Sequence, residues 1–334
     1  MNYRNASLIF ILVAPLGLRA QQEASTLEEL CRKTPHIVTV RLSSQSETKT
    51  SLRANFVASH WWKGERKGEL SFAESTGAHC GSALHGLEIG KEYLLFFDAH
   101  RTRLQLVGGQ RGILPRTKDI ETAVRSLLLT TDTAARARLL AGQLSHKDAR
   151  IREDAALALA NLPGLETSST LTRALLLTHL DQAMKATHPT ILDSLLLANS
   201  RVDAHRTATR AWTLALDEEH TERSSLGREI LLRKIGSETM LASVPMAMAK
   251  TQRSRLLLLN ALAATRSPKA LPWVEKLLVQ KDPTLRREAT ITMLSLGREP
   301  RELSKVVGKE LVMQAEILRT RRKQKPRLKA IRPH

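Results

Sequence analysis

The chain reads as a two-domain α+β protein, with a small β-barrel followed by an all-α solenoid. Three observations predict this. Seven of the eleven aromatic residues lie between Phe56 and Phe97, and only Trp212 and Trp273 follow Arg116. Aromatic and β-branched residues suit a pleated surface, whereas Leu and Ala suit packed helices. From Thr117 onward Leu, Ala and Ile recur at three- and four-residue spacing, broken every twelve to fifteen residues by Pro, Gly or Asp. Finally, Lys147-Asp148-Ala149-Arg150-Ile151-Arg152-Glu153-Asp154-Ala155 is matched 134 residues later by Lys281-Asp282-Pro283-Thr284-Leu285-Arg286-Arg287-Glu288-Ala289. That offset fits three repeats of about 45 residues, within the range of helix-pair solenoids.

The elements follow in order. Ser25 or Thr26, with Glu28 or Glu29 three residues on, forms a capping-box pattern for a short helix ending near Thr34-Pro35. Ile37–Leu42 alternates as a strand, and the polar run Ser43–Ser51 reads as a hairpin loop. Further strands are expected over Leu52–Trp62, Glu69–Ala73, Glu92–Asp98 and Arg103–Val107, the first stopped by Lys63-Gly64 and the last by Gly108-Gly109. Five or six short strands with Gly-rich turns make a small barrel or a sandwich. Ten to twelve helices are expected between residue 117 and about 320. Asp148 and Asp282 are N-cap residues, and Pro283 sits at a first helical position.

Arg4 followed by the apolar run Ala6–Leu18 reads as a secretory leader, residues 1–20, too short to span a bilayer. Cleavage is expected after Ala20 or Ala24, and no Cys stands at the junction for a lipid anchor. The mature chain is therefore expected to be exported, periplasmic or extracellular. In that setting the two cysteines, Cys31 and Cys80, predict a disulfide, with two buried thiols as the alternative. A bridge closing that loop stabilises by roughly 4 kcal/mol in the chain-entropy model.

The formal net charge of +19 is uneven. Residues 25–116 contribute about +4, 117–315 about +7 and 316–334 about +7. The last block holds Arg319, Arg321, Arg322, Lys323, Lys325, Arg327, Lys329 and Arg332 against the single Glu316, and it is expected to be a disordered basic tail. Such a tail either solubilises the chain or meets an anionic lipid or polysaccharide surface.

Two resemblances carry the reading further. The pattern Lys-Asp, two residues, Ile/Leu-Arg, an acid, Ala and an apolar helix resembles the second helix of HEAT repeats of the armadillo type, over residues 117–315. The resemblance implies a curved solenoid that binds partners along its concave face. It also implies that Asp148 and Asp282 are caps and that Arg152 and Arg286 tie adjacent repeats. Residues 25–116 resemble the netrin-like OB-fold domains of secreted bacterial proteins. The residues that carry this are Cys31 ahead of the first strand, Trp62-Lys63-Gly64, Cys80-Gly81 and Gly90-Lys91-Glu92-Tyr93-Leu94-Leu95-Phe96-Phe97. This resemblance implies pairing of Cys31 with Cys80. Protease inhibition, known for animal members, does not transfer, because Cys31 lies about ten residues inside the expected mature end.

No motif of catalysis appears. The eleven His include no His-Glu-x-x-His, and His79, Cys80 and His85 make only a crude metal set. Gly108-Gly109-Gln110-Arg111-Gly112 lacks the Lys-Ser/Thr of a phosphate loop, and no Gly-x-Ser-x-Gly elbow is present. No catalytic residue, metal or cofactor is assigned. The candidate binding residues are Trp61 and Trp62, whose rings strand alternation sends to opposite faces, and the basic residues from Arg319 to Lys329. The expected function is that of a non-enzymatic exported scaffold with a protein partner. The alternative is attachment to an anionic envelope lipid or polysaccharide through the tail. The secretory leader argues against a nucleic-acid partner.

Overall fold

The computed structural model describes residues 25–66, 68–75, 83–100, 103–185 and 191–324. The leader, Cys80, His79, Lys325, Arg327, Lys329 and Arg332 lie outside the described residues. The chain divides into two units.

One unit, Thr34–Pro115, is an antiparallel sheet. Its strands are β1 (His36–Glu47), β2 (Ser51–Lys63), β3 (Leu70–Ser75), β4 (Glu92–His100), β5 (Arg103–Leu106) and β6 (Ile113–Pro115). The spatial order is β3-β2-β1-β4-β5, with β6 also paired to β4. No pairing among the described residues closes this sheet, so it is open rather than the expected closed barrel. The hairpin is longer than the sequence indicated. Pairing continues from Ser44↔Asn55 to Glu47↔Leu52, across residues expected to be loop. The outer half of β1 is polar and solvent-facing, so its strand character leaves no apolar alternation to read.

One face of the sheet buries Val38, Val40, Leu42, Phe56, Leu70, Phe72, Leu95 and Phe97. The ring of Phe72 meets Phe56 at 5.9 Å and Phe97 at 5.5 Å between centroids, both edge-on, the arrangement that the aromatic quadrupole favours. The expected stop after β2 has a steric basis. Gly64 has φ +59°, and a Cβ there would lie 2.4 Å from the Pro35 carbonyl oxygen, so the turn accepts only glycine.

The other unit joins α1 (Leu27–Lys33) to everything from Arg116 onward. Its helices are α2 (Lys118–Leu129), α3 (Thr133–Gln143), α4 (Ala149–Asn161), α5 (Thr170–Lys185), α6 (Leu192–Val202), α7 (Ala204–Ala215), α8 (Thr221–Ile230), α9 (Ser237–Ala242), α10 (Gln252–Ala264), α11 (Leu271–Leu278), α12 (Pro283–Ser295), α13 (Pro300–Val307) and α14 (Lys309–Gln324). Neighbours in sequence pair as α3 with α4, α5 with α6, α7 with α8, α11 with α12 and α13 with α14. Stacking then links α4 to α6, α6 to α8, α10 to α12 and α12 to α14.

The two copies of the repeated segment are α4 and α12. Seven helices, α5 to α11, separate them among the described residues. A further difference concerns the tail. α14 continues to Gln324, so residues 316–324 are helical, not disordered. Val312 and Ala315 bury one side of this helix, which outweighs the repulsion among its closing cations.

Candidate interaction surfaces

On the sheet, the adjacent tryptophans take different roles. Trp61 pairs with Val38 and packs against the core, its ring 6.2 Å from that of Phe97. Trp62 is the extra residue of a bulge between the Ile37↔Lys63 and Val38↔Trp61 pairs. Its indole Nε1 donates to Thr39 Oγ1 at 2.8 Å, and the His60 ring meets it edge-on at 4.7 Å. A second irregularity leaves Ser59 to donate from Oγ to the Thr39 carbonyl at 3.0 Å. Both bulged residues therefore fasten to Thr39, which is almost fully buried. Trp62 is half-buried with its polar handle engaged inside the sheet, while Val57 to His60 on the same strand are exposed.

Several helix N-termini in the second unit are closed by side chains. Asp148 Oδ1 accepts from the amides of Arg150 and Ile151, and Asp282 Oδ1 accepts from Leu285. Arg152 donates to the carbonyls of His146 and Lys147, in the turn before its own helix. The links between helices come from other arginines. Arg201 on α6 donates to the Ala160 carbonyl of α4, Arg223 on α8 to Met184 of α5, and Arg319 on α14 to Leu294 of α12. Each adds a donor to a last-turn carbonyl, at the negative end of the helix dipole. Arg210 grips Asp181 through both Oδ1 and Oδ2, at 2.6 and 2.8 Å. The guanidinium holds the Asp181 carboxyl below the usual aspartate range.

α1 is fixed by two carboxylates whose distant partners the sequence does not reveal. The nearly buried Asp154 of α4 accepts from the Leu27 amide at 2.9 Å and from Arg150 Nε at 2.8 Å. Glu28, buried on α1, meets Arg136 of α3 at 3.0 Å. No local signal singles out Asp154, because Arg150, Arg152 and Glu153 stand beside it in the same helix. Cys31 on the same helix is buried; its proposed partner Cys80 lies outside the described residues. Among the basic candidates, Arg319 is engaged as above and Arg321 is exposed. Arg322 and Lys323 lie in the last turn of α14.

No group of three or more His, Cys, Asp or Glu positioned for a metal occurs among the described residues. No described helix is long and apolar enough to cross a membrane. No known family matches the sequence, and no curated protein matches it. Solved structures similar to the chain include an engineered protein, at 16% identity and TM-score 0.27, covering 54% of this chain and 97% of that one. Human deoxyhypusine hydroxylase in complex with glycerol is similar at 14% identity and TM-score 0.27, covering 61% of this chain and 81% of that one. Similarity this low assigns neither fold nor activity.

Proposed function

We propose that the protein is a non-enzymatic exported scaffold. In this reading the helical unit is a HEAT-like, armadillo-type solenoid that binds a protein partner, and the sheet is a netrin-like, OB-type module. The observation that carries the reading is the stacking of the second helix of one pair on that of the next, α4 on α6 and α12 on α14. Elements repeated in one direction build a continuous surface from equivalent positions, the geometry by which repeat proteins hold extended partners. Leu157 on α4 and Leu197 on α6 are half-buried apolar residues on these helices. They are the anchors we assign to the partner.

The test is crosslinked capture from the cell envelope with the intact chain, a 325–334 deletion and a Leu157→Glu/Leu197→Glu variant, at low and high salt. The deletion stops short of α14, because a cut at 317 would remove Arg319 and its bond to Leu294. A discrete protein held at high salt by the first two and lost by the third supports the scaffold. Capture that needs residues 325–334 and vanishes with salt replaces it with attachment to an anionic lipid or polysaccharide.

A further inference from the structure

The outward side of α14 is the most distinctive exposed surface of the helical unit among the described residues. Val312 and Ala315 point into the unit and are buried. Met313 and Ile317, one turn apart, are 58% and 46% exposed. At 100° per residue they lie in the middle of the solvent side, with Glu310 one turn before them and Arg321 one turn after. A helix that ends a stack normally turns a polar face outward. Here the face is apolar at its centre, acidic at one end and basic at the other.

That order is self-complementary in one arrangement. When two such helices cross antiparallel about the midpoint between Met313 and Ile317, each Met313 meets Ile317 of the second copy. Each Glu310 then meets Arg321 of the second copy. A parallel crossing would set Arg321 against Arg321 and Glu310 against Glu310. A two-fold axis produces the antiparallel arrangement without further conditions. We propose that α14 is a self-association surface through which two copies of this chain form an isologous dimer. An acidic helix from another protein would match the Arg321 end but meet Glu310 unfavourably, so a second copy is the better occupant.

A 16-residue helix is about 24 Å long. A single helix pair of that length buries less than the ~1,200 Å² of a standard stable complex, which places the contact in the weak, transient class, with a dissociation constant between about 10 μM and 1 mM expected.

The experiment is sedimentation velocity on the full chain from about 1 μM to 1 mM. A reversible monomer–dimer equilibrium is expected. Met313→Glu/Ile317→Glu is expected to weaken it by at least about 30-fold, leaving a monomer, because the variant sets four carboxylates at the centre of the contact. Glu310→Arg alone is expected to weaken dimerisation, and Glu310→Arg with Arg321→Glu to restore it to within about 3-fold of the parent. All four positions are solvent-facing, and circular dichroism confirms folding of each variant. A chain that stays monomeric to the top of the range overturns the proposal. So does a dimer indifferent to Met313→Glu/Ile317→Glu, a charge exchange that fails to restore association, or a monomer that instead binds anionic vesicles through Met313 and Ile317.

Discussion

Replacing Gly227 by alanine is expected to destabilise the helical unit, against the ordinary rule for glycine in a helix. In an open helix interior, Gly to Ala gains about 1 kcal/mol from backbone entropy and propensity. Gly227 lies within α8 where it crosses α7. A Cβ built there falls 2.5 Å from Ala211 O, 2.5 Å from Ala215 N and 2.9 Å from Leu214 Cβ. Two of these three atoms are backbone, so no rotamer change relieves the contact. Restoring normal spacing needs about 1 Å of separation between the helices, enough to forfeit a substantial part of the dispersion contact along them. It would also stretch the bond from Ser224 Oγ to the Ala215 carbonyl, now 2.9 Å. Overpacking of this kind costs typically 1–3 kcal/mol, occasionally more, and exceeds the propensity gain. The net loss is up to about 2 kcal/mol, or up to roughly 8 °C in Tm for a unit of this size. Gly142 in α3 is the matched control. It is exposed, has no atom within 4 Å of a built Cβ, and should gain about 0.5–1 kcal/mol on the same change. Urea unfolding followed at 222 nm compares the two variants. Equal stabilisation by both would refute the close-approach argument.

Three further outcomes are expected. Asp154→Ala removes the acceptor for the Leu27 amide and the Arg150 guanidinium, costing about 2–4 kcal/mol; hydrogen exchange should show α1 amides opening faster than those of α10. The Asp181 carboxyl is depressed in the fold, so its contribution is present above the usual aspartate range and lost as pH falls below it. Arg210→Met abolishes that contribution, and acid unfolding should then begin at a higher pH than in the parent. Trp62→Phe leaves Thr39 Oγ1 without its indole donor and should cost about 1 kcal/mol, read by urea titration; an unchanged midpoint would mean that the bond adds nothing.

Much of the fold was legible because local signals agree with tertiary need. Aromatic clustering marked the strands β2, β3 and β4. Asp148, Asp282 and Pro283 marked the starts of α4 and α12, because caps act on groups only two or three residues away. β6 was missed because three residues hold too little pattern. The end of α14 was misread because charge composition argues about solvation, whereas burial of Val312 and Ala315 decides the helix. For the candidate surfaces, the residue types were visible but their partners were not. Strand alternation sends the rings of Trp61 and Trp62 to opposite faces but does not say which one packs in the core; the pairing of Trp61 with Val38 decides that. The role of Asp154 toward Leu27 spans 127 residues of chain, and no local rule reaches that far.

That same bond makes the sheet an insertion in an otherwise continuous helical chain. During synthesis, α1 emerges well before its acceptor on α4. It must wait as an unpaired amphipathic segment while every strand is made. Closing a loop of this length costs about 4 kcal/mol in chain entropy, so docking of α1 is expected to follow assembly of the helices around Asp154. A dissection that cuts the chain between Pro115 and Arg116 removes the first helix of the array along with the sheet. Replacing 34–115 by a short linker, with residues 26–33 kept ahead of Arg116, is the dissection that respects how the polypeptide is threaded.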